Sequence, residues 1–373
     1  MSALSHSKEC DGRMILNAVH GIGPIIHNRL MAKFDNDPWK ILRAKESELN
    51  QVNGVGKKTI ASIKQILESK WIDKEKYKLG KMGARFIHST ELPEFLSQLM
   101  DPPIGLYLLG EIPKLPFFSI VGTRVPSQYG KKLARKLAFE LSQAGLCIVS
   151  GLARGVDSEA HKGALDAGGK TIAFLGSGLD VIYPPENLDL YRKIHSSGAV
   201  LSEFPLGRRA DRRTFPMRNR LVAGVSMGVL VIESAKSGGS MITAKFAAEQ
   251  GRIVFALPGR VDQPESQGCL DLLRDGATLV RKIDDILEEL EPMIGKIKDS
   301  AHGCQSIVKK DFPSLNDDES LIMKALSAGD RFASEDLQKL TNLCLSKIIP
   351  AITMLEIRGL VTKRPDGKFE SNL

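Results

Sequence analysis

The chain is expected to be an α/β protein built on a Rossmann-like, mostly parallel sheet. Short, nearly continuous apolar runs rich in β-branched residues recur at 117–121, 146–149, 171–175, 199–201, 229–232 and 253–257. Strands buried on both faces read this way, because neither face needs a polar residue. Amphipathic helical patterns lie between several of them, at 128–144, 158–167 and 241–250. Glycine-rich turns follow the runs. Strand and helix in alternation predict a parallel sheet covered on both faces.

At 373 residues the chain exceeds what one hydrophobic core supports, so flanking domains are expected. Residues 1–76 read as a helical module resembling helix-hairpin-helix or SAM-like units. Two turns, Gly21-Ile22-Gly23-Pro24 and Gly54-Val55-Gly56-Lys57, break helices with apolar positions such as Ile60, Ile63, Ile66 and Leu67. Such turns either offer amides to a DNA phosphate or merely turn corners. Gly56-Lys57-Lys58-Thr59 lacks the spacing of a P-loop. The sheet domain is assigned to 77–291, entered through a short α/β appendage at 77–109. Residues 292–316 are polar and weakly periodic and read as a linker. Residues 317–373 give three helical patterns and a hairpin, the order of a winged-helix-like domain. Its eight Lys/Arg face nine Asp/Glu, so protein contact suits it as well as DNA.

The formal charge of +8 favours polyanionic partners. No run of about eighteen apolar residues indicates a membrane span, and the first ten residues lack a signal-peptide core. The five cysteines are scattered without a Cys-x-x-Cys pair. Neither a disulfide framework nor a zinc site is expected, and a cytoplasmic setting is.

In a parallel sheet, ligands bind beyond the carboxyl ends of the strands. The first strand is followed by Gly122-Thr123-Arg124, with Ser127 placed to cap the next helix, and the second by Ser150-Gly151-Leu152-Ala153-Arg154-Gly155. The third gives Gly176-Ser177-Gly178, and the run at 229–232 gives Ser237-Gly238-Gly239-Ser240 before a helix. Glycine lets backbone approach a ligand, and helix N-termini present amides and a positive dipole end. Together the loops predict an anion cradle, although tight strand-to-helix turns need glycine in any case.

The densest charge lies at 208–220. Arg208, Arg209, Arg212, Arg213, Arg218 and Arg220 face one acid, Asp211, with Phe215-Pro216 among them. Phe215 belongs to no evident helix or strand pattern. An exposed aromatic among arginines suits single-stranded nucleic acid, where a base stacks on the ring and guanidinium groups hold the backbone.

Enzymatic signatures are weak. No His-Glu-x-x-His, Gly-x-Ser-x-Gly or Walker sequence occurs. Asp157 and His161, four apart on a helix, form either an acid–base pair or a structural hydrogen bond. Gly176-Ser177-Gly178 lacks the third glycine of a dinucleotide fingerprint, so no cofactor is expected. The alternative is a nucleotide-binding or nucleotide-hydrolysing enzyme using Asp157, His161 or Glu203.

Read in order, these strings resemble the bacterial DNA-processing protein A family, DprA or Smf. The carriers are Val121-Gly122-Thr123-Arg124, Ser150 to Asp157, Ala160-His161, Tyr183-Pro184-Pro185-Glu186-Asn187 and Leu201-Ser202-Glu203. They continue with Phe215-Pro216-x-Arg218-Asn219-Arg220, Ile242-Thr243-Ala244 and Leu257-Pro258-Gly259. The resemblance implies an extended Rossmann fold without known catalysis, binding single-stranded DNA, dimerising, and helping to load the RecA recombinase in natural transformation and recombination. It places Gly122, Thr123, Arg124, Ser150, Gly151, Arg154, Arg212, Arg213, Phe215, Arg218, Asn219, Arg220, Gly239 and Ser240 at the DNA. Two departures stand out: Val125 occupies a position where a polar residue is common, and Gly239 interrupts the usual Arg-Ser-Gly-Ser, so the resemblance does not carry a basic contact over to that loop.

Overall fold

The computed structural model describes residues 3–88, 91–294, 315–326, 332–358, 360–363 and 367–371. The chain divides into two compact units, 1–303 and 304–373.

The first unit opens with helices α1 (Ala3–Ala18), α2 (Pro24–Lys33), α3 (Pro38–Arg43), α4 (Glu46–Leu49), α5 (Lys57–Glu68) and α6 (Trp71–Met82). Gly21 and Gly54 have φ of +93° and +96°, and Gly23 and Gly56 are the N-caps of α2 and α5. The two hairpins lean on each other. A Cβ on Gly21 would meet Thr59 Oγ1 of α5 at 2.6 Å, and one on Gly54 would press on Ile26 of α2. The boundary expected after residue 76 falls inside α6, which runs on until Gly83 closes it at φ +65°.

Then follow β1 (Arg85–His88), α7 (Glu94–Ser97), β2 (Gly105–Gly110), β3 (Phe117–Val121), α8 (Gln128–Gln143), β4 (Cys147–Ser150), α9 (Val156–Asp166), β5 (Thr171–Leu175), α10 (Leu188–Ser197) and β6 (Ala199–Ser202). The unit continues with α11 (Thr214–Gly224), β7 (Gly228–Val231), α12 (Gly239–Glu249), β8 (Ile253–Ala256), α13 (Gln267–Arg274), β9 (Thr278–Leu279) and α14 (Asp284–Ile294). The nine strands order as β1-β2-β6-β5-β4-β3-β7-β8-β9. β1, β2 and β6 pair antiparallel, and every pair from β6 to β9 is parallel. The appendage is thus the antiparallel edge of the same sheet.

Alternate residues face opposite layers, as strand geometry requires. Phe117, Val121, Val149, Phe174 and Val231 join one core with α11 and α12, while Phe118, Ile120, Ile148 and Leu230 join another with α8 and α9. Met14 and Leu79 share a core with Tyr107 and Val200, so the N-terminal helices pack on the sheet. Chain order runs outward in one direction from β3 through β4, β5 and β6, and in the other from β7 through β8 and β9. The β3/β7 neighbourhood is therefore the topological switch point, where connections diverge and open a crevice.

The second unit contains α15 (Asp317–Leu326), α16 (Ser334–Thr341), α17 (Leu345–Ile357) and a hairpin of β10 (Val361–Lys363) and β11 (Phe369–Ser371), around a core that includes Ile322, Leu337, Ile352 and Phe369. The expected linker lies, apart from its ends, outside the described residues. No single helix among the described residues is long and apolar enough to cross a membrane.

Candidate nucleic-acid interface

A cleft of about 500 Å³ opens at the switch point. Gly122, Thr123 and Arg124 enter it from the loop after β3, Gly151 from the loop after β4, and Gly239 and Ser240 from the start of α12. α11 contributes Phe215, Arg218 and Asn219, and Arg212 comes from the segment before it. Ten residues expected from the sequence are thus brought together. The lining also holds a single acid, Asp157, against the three arginines.

Each wall is fixed by backbone. Thr123 N–H donates to the Glu233 carbonyl at 2.6 Å, and the Thr123 carbonyl accepts from Val156 N–H at 3.2 Å. This clamps the β3 loop between the β7 loop and α9. Ser127 caps α8, accepting from Gly130 N–H, while its own N–H and hydroxyl donate to the Glu233 carboxylate. Glu233 was not anticipated from the sequence, since its partner lies 106 residues away. α12 begins without a side-chain cap, and its Gly239 has open space beside it. The N-terminal dipole of α12 therefore adds to the positive field of the cleft.

Arg218 forms the floor. It is buried at 4% exposure, its Nη1 donates to the Phe174 carbonyl at 2.8 Å, and its Nε has no partner among the described residues. Burial lowers its pKa, the Asp157 charge opposes this, and Arg124 adds to the lowering. The Asp157 carboxyl is raised by burial, against the Arg218 charge and the amides of Ala153 and Gly151 that it accepts from. Gly151 leaves the room that Arg218 fills: a Cβ would sit 1.4 Å from Arg218 Nη1. Gly151→Val is expected to displace the Arg218 guanidinium and weaken anion binding, measurable by isothermal titration with inorganic phosphate or oligothymidine. Retained affinity would show that Arg218 is dispensable.

Phe215 departs from its expected setting. It lies in the first turn of α11, half-buried, with Arg124 Cζ 4.9 Å from its ring centre and the Tyr183 ring 5.9 Å away. The sequence concealed this helix because α11 is buried nearly all round, including Arg218 and Arg220, and so carries no apolar stripe. Pro216 is tolerated because first-turn amides need no helical partner. Asp211 starts the helix by accepting from the N–H groups of Arg213 and Thr214, and these bonds help hold its carboxyl below the usual range.

Four expected contacts are placed elsewhere. Ser150 donates its hydroxyl to the Ile120 carbonyl inside the sheet at 2.7 Å. Arg213 is exposed at the start of α11, outside the cleft lining. Arg220 turns away from the cleft, and its guanidinium is buried against the Glu203 carboxylate and the Asp101 carbonyl. Its neighbours in the fold, not its neighbours in sequence, decide its direction. Arg154 is half-exposed, paired with Glu186, and lines a narrow slot beside the cleft.

His161 does not reach the cleft. It is fully buried, with Nδ1 2.7 Å from Thr171 Oγ1, and burial followed by the Arg218 charge drives its pKa down to about 3. An unfolded histidine titrates near 6.5, so the unfolded chain takes up a proton that the folded one refuses. The stability His161 contributes is complete above about pH 6.5 and drains away as pH falls towards 3, roughly 2 kcal/mol by pH 5. Urea titrations at pH 7 and pH 5 should show a smaller acid loss in His161→Gln than in the wild type. Equal losses would contradict this.

Residues 84–291 match the family model described as DNA recombination-mediator protein A. The chain is 33% identical to the Smf protein of Synechocystis sp. over 94% of its own length and 96% of that relative. It is 43% identical to the DNA processing protein DprA of Streptococcus pneumoniae over 53% of this chain and 71% of the relative. The X-ray structure of Streptococcus pneumoniae DprA aligns with a TM-score of 0.63 at 32% identity, covering 74% of this chain and 95% of that one. A Helicobacter pylori DNA processing protein A, whose structure is described in terms of its single-stranded DNA binding mode, aligns with a TM-score of 0.51 at 33% identity, covering 56% and 96%.

Proposed function

The chain belongs to the DNA recombination-mediator protein A family, and from that premise we propose that it holds single-stranded DNA in the cleft at the switch point and acts as a recombination mediator in natural transformation. The observation that carries this reading is the convergence of Arg124, Arg212 and Arg218 with the Phe215 ring and the N-terminus of α12 in one crevice. Phosphates meet guanidinium groups and amides there, and an unstacked base meets the ring. Double-stranded DNA offers no unstacked base and should bind more weakly.

Loading of the RecA recombinase and assembly as a homodimer belong to the same proposal. The first is expected as faster RecA filament formation on protein-coated oligonucleotides, the second as twice the chain mass in light scattering. Absence of catalysis is also proposed: the histidine of the hydrolase alternative is buried against Thr171 of β5, and Glu203 is held by Arg220. Labelled nucleotides should therefore remain intact on incubation.

The site is tested by fluorescence anisotropy with oligothymidine at several salt concentrations. Each phosphate contact contributes about −0.7 to the slope of log affinity against log salt for single strands. Arg124→Ala should weaken binding to all sequences and make that slope shallower by about this amount. Unchanged affinity and slope would remove Arg124 from the site.

A further inference from the structure

From the cleft outward, three loops and the first turn of α11 stack their side chains into a ladder. Arg124 lies over the Phe215 ring, Phe215 packs on Tyr183 with ring centres 5.9 Å apart, and Arg154 Cζ lies 5.9 Å from the Tyr183 ring centre. The Arg154 guanidinium closes on the Glu186 carboxylate. The ladder's residues come from the loops after β3, β4 and β5 and from the start of α11, so no single element places them together. The frame beneath is rigid: buried Asn187 donates to the Leu152 carbonyl at 2.9 Å and lies 2.8 Å from Ser158 Oγ, fastening the Tyr183–Glu186 loop to the loop that carries Arg154.

Room and charge decide what the ladder takes. The slot between the rings and the β4 loop measures about 10 Å³, too small for a base, so a base must lie on an outer ring face. Tyr183 is 41% exposed, with the Arg154 guanidinium over its ring. That guanidinium is held by a half-exposed ion pair, a kind of interaction that stabilises little and exchanges readily. Glu186 presents an anionic oxygen to Arg154, as a phosphate would.

Resting on the single-stranded DNA reading, we propose that the strand continues from Phe215 onto Tyr183 as a second stacking platform, and that the Arg154–Glu186 pair is its exchangeable cover. An arriving base takes the Tyr183 face, and an arriving phosphate replaces Glu186 as the partner of Arg154. Glu186 thus competes with DNA and sets how easily the outer part of the site is occupied.

The test is anisotropy with a thymidine dodecanucleotide. Tyr183→Leu should weaken binding about five- to hundred-fold, and by a similar factor again in the Phe215→Leu background, where no ring is left to brace, while Tyr183→Phe keeps wild-type affinity. Glu186→Gln should tighten binding by up to about five-fold, and Arg154→Ala in that background should cancel the gain. No loss in Tyr183→Leu, a loss that vanishes in the Phe215→Leu background, or no gain in Glu186→Gln would overturn the proposal. Wild-type protein that does not bind the dodecanucleotide removes the reading beneath it, and the proposal with it.

Discussion

Alanine at Phe215 should lower the affinity for oligothymidine by about 1–3 kcal/mol, roughly five- to hundred-fold, with the salt dependence almost unchanged. Stacking carries no counterion release, so its loss moves the intercept of the salt plot and leaves the slope. The ring is well placed to receive a base, being half-buried, braced by Tyr183 and covered by the Arg124 guanidinium. It also packs near Gly176, where a Cβ would approach Phe215 Cδ1 to 3.1 Å. Repacking around the vacated ring can therefore add to the loss in the alanine variant. Phe215→Leu separates the effects, since it keeps apolar volume and removes the π face. Loss of affinity in both variants with a normal unfolding midpoint in Phe215→Leu assigns the effect to stacking; wild-type affinity in Phe215→Leu would refute it.

Arg220→Ala should instead act on the fold. Its guanidinium and the Glu203 carboxylate are 10% and 8% exposed, and it also holds the Asp101 carbonyl at the turn after α7. Removing one member leaves the other buried and unpaired, which costs about 3–5 kcal/mol. Burial already raises the Glu203 carboxyl, and the Arg220 charge opposes that rise. Without Arg220 the carboxyl must take a proton or draw water in. Urea unfolding should show the loss directly, and below the unfolding transition the DNA affinity should stay within about two-fold of wild type. A fully stable variant that fails to bind DNA would return Arg220 to the interface, where its neighbours in sequence first put it.

The two arginines show what the sequence discloses and what it withholds. The six runs read as strands are strands, shifted by a residue at most at each end, because burial on both faces leaves a continuous apolar signature. The loops after β3, β4 and β7 were legible through their glycines. α11 was not, since a helix enclosed by core and cleft has polar side chains at buried positions. Arg218 and Arg220 are two apart in sequence, yet one reaches the cleft floor and the other pairs with Glu203 outside it. That difference depends on what β5 and β6 bring alongside, information that local pattern lacks. Tyr183 stood in a family motif with no role until the fold set its ring against Phe215.

A crystal structure with a bound oligothymidine tests the central claim most directly. A phosphate should lie within hydrogen-bonding distance of Arg124 and the first amides of α12, with a base on the Phe215 ring. A strand seated only on the hairpins at Gly21–Gly23 and Gly54–Gly56, with the switch-point cleft bare, would contradict it.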